Sequence, residues 1–556
     1  MTPPAAPPSN LAPDERADWL RVRRYAVPAW MIERATERRL AGDWRGACAA
    51  ADVEVRVDLA ALPPAAAAAL EDDLAHFAPD LLRWHLPRVL EGRSTITTHN
   101  ALKLREDEHG VLYVTTPVMV DGPQRLVLRH DRAMVEKAPG GRMELHHADW
   151  SGLRYRWDVR AIDGVRGGES RTPYFDAAGE PVPPPAAPPS GGVELVEWTT
   201  LLNERGDLRG ALEAVGLAVP DPAGFDTSAP WGSHTAREIA PVTPIDFPLL
   251  ARTGLGCVDL GGGLYLKVRD GRAVAVDWND LDGVPHLDSS AWRRSPDLDL
   301  LRSGLLSPEE LHPLVRAGMF PARGEADGPV GPRTDPVPPS PVRVRCQGGW
   351  HEVAFRDGAL AVPHTAEEIR RERALGAFGG KVAGCFAVRT AVETGEGRLP
   401  KALRAQMREL YLRAQHGDTP AVLALLDAGV PPVLRDGRRR TLLHHLHMLD
   451  HERLLPRLLD AGLDIDVEDG NGRTPLHMAV GDYGSEELVR ALVERGARID
   501  TVDNDDVSLA YLIRQHKRTE LEWLRDRVEK EHPGVGYEYE YWGDDEDGED
   551  EDGEDA

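Results

Sequence analysis

"NGRTPLHMAV", residues 471 to 480, decides how the C-terminal third of this chain folds. Gly472 lets the backbone reverse, Thr474 offers a hydroxyl that caps a coming helix, and Pro475 pre-sets φ at the first helical position. Leu476 then points to a core, and His477 is placed to hydrogen-bond back to the turn. The combination predicts a sharp reversal that runs directly into a buried helix.

The pattern recurs. Leu410, Leu443, Leu476 and Leu509 follow one another at intervals of 33 residues, and the residues after them are Tyr411, His444, His477 and Ala510. "LLDAG", "LLDAG" and "LVERG" recur as helix ends closed by glycine. This period predicts four units, about 403–435, 436–468, 469–501 and 502–532, each made of two antiparallel helices and an extended finger. A unit of this kind cannot bury its apolar face alone, so the units must stack.

"DGNGRTPLHMAV" resembles the signature of the ankyrin repeat family, and "DGRRRTLLHHLH" resembles it with Leu442 in place of the proline. The first unit ("RELYLRAQ") and the last ("DDVSLAYLIRQ") lose the Thr-Pro-Leu-His turn and read as caps. The resemblance implies a protein-binding solenoid that works through its fingers and inner helix face. Carried over by position, the finger tips are Arg435, Asp436, Arg438, Arg439 and Arg440, then Glu468, Asp469, Asn471 and Arg473, then Asp503, Asn504, Asp505 and Asp506. Their charge runs from basic to acidic along the stack.

Outside the repeats, proline marks the joints. "EPVPPPAAPPSGG" (180 to 192) and "GEADGPVGPRTDPVPPSPV" (324 to 342) cannot be helices or central strands, because proline lacks an amide donor. The expected organisation is a multidomain chain with N-terminal α+β modules and a C-terminal all-α ankyrin-like solenoid of about four helix-turn-helix repeats. Its parts are a disordered Pro-rich start (1–13), an α+β module of helices then a meander (14–175), a linker (176–192), a small α+β module with a hairpin about "RDG" (193–322), and a second linker (323–342). A short β/helix segment packing on the repeats (343–402), the repeats (403–532) and a disordered acidic tail (533–556) complete it. "GDWRGACAAADVEV", "GDLRGALEAVGLAV" and "GDTPAVLALLDAGV" share a Gly-Asp start, a helix and a turn into extended chain; this reads as a common way to start a helix, the alternative being that the early modules carry degenerate copies of the repeat unit.

The net charge of -26 over 556 residues argues against a sequence-independent nucleic-acid binder. Residues 537 to 556 hold 12 of the acidic groups and no basic one, so the tail reads as a solubilising segment, the alternative being that it folds back on the basic "RDGRRR" finger. Only 7 of the 66 basic residues are lysine, a bias of GC-rich genomes that predicts an actinobacterial source. No apolar run reaches the length of a membrane span, and "MTPPAAPPSNLAPDER" lacks the features of a secretory leader, so the expected location is cytoplasmic.

Cys48, Cys257, Cys346 and Cys385 show no CxxC spacing, and they read as reduced, buried apolar residues rather than metal ligands. His447 and His451 stand at the i, i+4 spacing of a helical metal pair but lack a third ligand. No metal, cofactor or catalytic residue is therefore called, and no nucleotide loop, GxSxG or HExxH occurs. The expected function is a cytoplasmic protein–protein adaptor with neither a membrane nor a nucleic-acid partner. The alternative is a modular enzyme or effector whose residues 14–322 carry an activity that the repeats target.

Overall fold

The computed structural model describes residues 11–536 apart from 12, 91, 141–142, 168–174, 184–186, 192, 220–244, 254, 262–263, 277–283, 285–293, 327 and 334. They form two compact units: one of the described residues up to 341 with 355–359 and 402–430, the other of 342–354, 360–401 and the described residues from 431 onward. The acidic tail from 537 onward, with its alternative contact to the basic finger, lies outside the described residues.

The first unit opens with α1 (Pro13–Tyr25), α2 (Ala29–Leu40) and α3 (Trp44–Ala50), followed by β1 (Val53–Arg56), α4 (Pro64–His76) and α5 (Pro79–His85). Strands β2 (Asn100–Asp107), β3 (Gly110–Thr115) and β4 (Leu126–Asp131) form the expected antiparallel meander. It is the centre of a larger mixed sheet, in the order β1-β4-β3-β2-β5, with β5 spanning His146–Asp149. β1 joins one edge parallel to β4 and β5 joins the other parallel to β2, because each reaches its place by a long connection rather than a hairpin.

A second layer follows with α6 (Val193–Glu204), α7 (Leu208–Ala214), α8 (Phe247–Thr253) and a three-stranded sheet of β6 (Leu255–Gly261), β7 (Leu264–Arg269) and β8 (Arg272–Val276). β7 and β8 are the hairpin expected about "RDG", with Asp270 and Gly271 both at positive φ. Their apolar faces and those of α7 and α8 make a small core of their own.

The boundary expected at 193–322 does not follow this small core. Leu300 and Leu301 of α9 (Pro296–Arg302) and Val315 and Met319 of α10 (Pro313–Met319) are buried in the first core, with Trp84, Trp150 and Trp157. Asp297 accepts from Trp84 Nε1 at 2.9 Å and pairs with buried Arg23, and Asp80 meets His312 Nε2 at 3.0 Å. The expected linker also docks here. Ala322 N donates to Ala177 O at 2.9 Å, and Phe175 meets Phe320 edge to face at 6.0 Å. Proline-rich chain lacks donors but keeps its carbonyl acceptors, so it packs as irregular structure without joining a sheet.

The second unit begins with β9 (Val342–Cys346), β10 (Gly349–Arg356) and β11 (Ala359–Ala361), in the order β11-β10-β9, followed by α11 (Ala366–Ala377) and α12 (Gly384–Thr394). α13 (Lys401–Gln415) and α14 (Thr419–Asp427) then belong, from residue 402, to the first unit. Asp418 accepts from Trp30 Nε1 at 2.9 Å, and His416 Nε2 meets Ser94 Oγ at 2.8 Å. The helices expected to open the repeats are thus packed with the N-terminal module.

The Gly-Asp echo is one corner used three times. Gly42, Gly206 and Gly417 all have positive φ, and Asp43, Asp207 and Asp418 accept from the amides of Gly46, Gly210 and Ala421 at 2.8, 2.8 and 3.2 Å. An aspartate N-cap directly after a left-handed glycine turns one helix into the next with no intervening loop.

The remainder of the second unit is helical: a 3₁₀ turn (Leu442–Met448) with α15 (His451–Asp460), α16 (Pro475–Gly481) with α17 (Glu486–Glu494), and α18 (Leu509–Gln515) with α19 (Glu522–Glu531). Gly462 and Gly496 end α15 and α17 at positive φ, as their sequence positions predict. Among the described residues no helix is long and apolar enough to cross a membrane.

Candidate functional site

Each finger is built around an aspartate. Asp436 Oδ1 accepts from the amides of Arg438 and Arg440, at 2.8 and 2.9 Å. Asp469 Oδ1 accepts from Asn471 and Arg473 at 2.7 and 3.0 Å, and Asp503 Oδ1 accepts from Asp505 and Val507 at 3.0 Å each. One carboxylate oxygen therefore fixes each reversal. The other oxygen joins neighbours: Arg440 Nε donates to Asp469 Oδ2 at 3.3 Å, and Arg473 Nε donates to Asp503 Oδ2 at 3.1 Å.

This arrangement divides the expected finger tips. Arg440, Asp469 and Asp503 are buried and Arg473 is partly buried, so all four hold the fingers together, and the expectation of free tips fails for them. Asp436 and Arg435 are also partly buried, and Arg435 NH1 donates to the carbonyls of Arg439 and Glu468 at 2.8 Å each. Arg438, Arg439, Glu468, Asn471, Asn504, Asp505 and Asp506 remain exposed. Which finger residue is buried is set by which side chain faces the neighbouring finger, and a single unit's sequence does not reveal that.

The signature histidines are structural. Thr441 N donates to His444 Nδ1 at 3.0 Å, so the other nitrogen carries the proton and donates to Arg473 O at 3.1 Å. His477 Nδ1 likewise meets Thr474 N and Oγ1 at 3.3 and 2.9 Å. Burial pushes both imidazoles down to about 4, which keeps them neutral.

Leu443 and Leu476 are buried two positions after their caps, and Leu410 is buried in α13. Leu509 is also buried, but it directly follows its cap, Ser508, whose Oγ accepts from Tyr511 N at 3.2 Å. Ala510 therefore stands where Leu476 stands in the preceding unit. The 33-residue spacing slips by one because the corner at 481–485 carries an extra residue, with Tyr483 at φ +59. His447 and His451 do not share a helix: the 3₁₀ turn ends at Met448, and Asp450 caps α15.

The structure gathers four donors that the sequence left apart. Cys346 at the end of β9, His351 in β10, His364 before α11 and Cys385 at the start of α12 present Sγ, Nδ1, Nε2 and Sγ within 4.8 Å of one another. Cys346 Sγ is 3.5 Å from His364 Nε2, which is 3.1 Å from His351 Nδ1, and Cys385 Sγ is 3.6 Å from that same nitrogen. Cys346 and Cys385 are thus buried, as expected, but they are not isolated apolar fillers. The missed signal was Cys-x4-His across a "QGG" turn, a spacing that brings two donors onto one side of a hairpin.

Elsewhere, a cleft of about 1290 Å³ in the first unit is lined by Arg23, Glu309, Arg316, Arg323 and Arg333 among others. Arg316 and Arg323 pair with Glu309 at 3.6 and 2.6 Å, and Arg333 pairs with Glu310 at 3.5 Å. Among its described lining residues there is no histidine, cysteine or serine. His146 and His147 lie on edge strand β5, where Asp149 pairs with Lys103 at 2.8 Å.

Compared with known families, the family model described as ankyrin repeats (3 copies) matches residues 410–503. No curated protein matches the chain.

Proposed function

Because the chain is an ankyrin repeat domain-containing protein, we propose that it is an adaptor that recruits a protein partner through a stack of four units over about 403–532. The observation that carries this reading is the separation of roles within the fingers. Asp469, Asp503, Arg440 and Arg473 satisfy one another, while Arg438 and Arg439 at one finger and Asn504, Asp505 and Asp506 at another stand exposed. A frame whose own polar groups are internally paired presents its remaining charges with little ordering cost on binding. Exposed charge of opposite sign along one edge favours a partner with the complementary gradient.

The net charge of -26 supports a protein rather than a nucleic-acid partner. Four cysteines spread singly along the chain, without the spacing of a disulfide framework, support a reducing location such as the cytoplasm.

The test is capture of partners by the full chain, compared with an Arg438→Glu, Arg439→Glu double variant. Arg440 is left intact, because its replacement would break the buried pair with Asp469. A protein retained by the wild type and lost by the variant supports the reading. Retention of the same protein by both moves the contact away from the basic finger, and specific capture by neither removes the adaptor reading.

A further inference from the structure

We propose that Cys346, His351, His364 and Cys385 bind a single Zn²⁺ in a closed structural site. The donor chemistry fits: two sulfurs and two imidazole nitrogens are a set that four-coordinate zinc takes without added water. The geometry fits as well. Tetrahedral bonds of about 2.3 Å to sulfur and about 2.0–2.1 Å to nitrogen set sulfur and nitrogen about 3.6 Å apart and two nitrogens about 3.3–3.4 Å apart. The observed separations are 3.5 and 3.6 Å for sulfur to nitrogen and 3.1 Å between the nitrogens.

The backbone is shaped to bring these atoms together. Gln347 and Gly348 both take positive φ, which reverses the chain between Cys346 and the strand that carries His351. Gly384 also has positive φ, and a Cβ there would lie 2.6 Å from Cys346 Sγ. Only glycine lets the start of α12 approach the end of β9 so closely. Around the donors, Glu368 Oε2 accepts from Thr365 N and Oγ1 at 2.8 and 3.0 Å and lies 3.8 Å from the outer nitrogen of His364, which places a negative charge beside that imidazole. The Phe386 ring packs 4.3 Å from that of His364, shielding one side.

The surrounding segment needs such a link. α11 buries no residue, Phe378 just beyond it is 90% exposed, and Arg373 pairs with Glu393 of α12. Strands β9 and β10 and helix α12 have buried residues of their own, so the part that a cross-link at His364 would hold is α11. On binding, both thiols release their protons to solvent, so two thiolates, two neutral imidazoles and Zn²⁺ form a centre of zero net charge, suited to burial.

The test uses the untagged full chain, purified under reducing conditions and dialysed against chelating resin, with metal content read by mass spectrometry. About one zinc per chain is expected, retained by Cys48→Ser and Cys257→Ser and lost by Cys346→Ser and by Cys385→Ser. Cobalt substitution of the wild type, which does not depend on any variant folding, should give visible bands of tetrahedral cobalt with a thiolate charge-transfer band. Three results would overturn the proposal: wild-type zinc at background after incubation with zinc chloride, cobalt bands of octahedral form, or a Cys346–Cys385 disulfide in the reduced preparation.

Discussion

Arg440 and Asp469 form a buried ion pair between neighbouring fingers, with Nε 3.3 Å from Oδ2, while the other oxygen of Asp469 caps the turn of its own finger. Removing the carboxylate by Asp469→Ala takes the charged partner from the buried guanidinium of Arg440 and the shared acceptor from two turn amides. A loss of about 3–5 kcal/mol in the stability of the repeats is expected. Arg438→Ala, at an exposed neighbour, should change it by less than about 0.5 kcal/mol. Hydrogen exchange of the amides of residues 436–506 distinguishes the two, and equal protection in both variants contradicts the structural role of the pair.

Acid should loosen the repeats through their histidines. His444 and His477 stay neutral down to about 4 when folded, whereas an unfolded histidine takes up its proton near 6.5. Their contribution is complete above pH 6.5, declines as pH falls and is exhausted near pH 4, with an upper bound of about 3 kcal/mol each. Urea midpoints between pH 7 and 4 should fall, and His444→Gln should flatten the slope.

The residue three positions after each finger aspartate has positive φ: Arg439 at +63, Gly472 at +74 and Asp506 at +59. Arg439→Gly should therefore stabilise the repeats by up to about 1 kcal/mol, since its pair with Glu396 is exposed and contributes little. Gly472→Ala should cost more than about 1 kcal/mol, because its Cβ would also lie 2.5 Å from Asn504 Oδ1. Thermal midpoints that move in the same direction for both would refute this account.

The three Gly-Asp corners predict a graded series. Asp43→Ala and Asp207→Ala remove a helix cap and should each cost about 1 kcal/mol. Asp418→Ala should cost about 3 kcal/mol or more, because Asp418 also accepts from Trp30 and from the buried guanidinium of Arg413. Equal losses at all three sites would show that the additional partners of Asp418 contribute nothing.

What was legible in the sequence was whatever repeats or is local. Thr474, Pro475 and the helix-ending glycines announce themselves because their roles are settled within a few residues. The tight hairpin at Asp270 and Gly271 was legible for the same reason. The burial of Arg440 was not, since its partner lies 29 residues away and the finger motif alone makes it a tip. The Cys-His cluster escaped for a related reason: its donors come from four separate elements between residues 346 and 385, and only their assembly makes the spacing meaningful. The place of Leu300 and Val315 in the first core was hidden because apolar periodicity marks a buried face without naming what covers it.

The finger ladder has a grain. Arg440 reaches forward to Asp469 and Arg473 reaches forward to Asp503, while each aspartate secures its own reversal from within. Each finger therefore carries the acceptor of its own turn within a few residues, while its arginine depends on a carboxylate about thirty residues further along the chain. Each added finger supplies the acceptor of the one before it, and Asp503 is the acceptor for Arg473. A chain released just short of that residue would keep well-formed turns and leave Arg473 without its carboxylate at the growing edge.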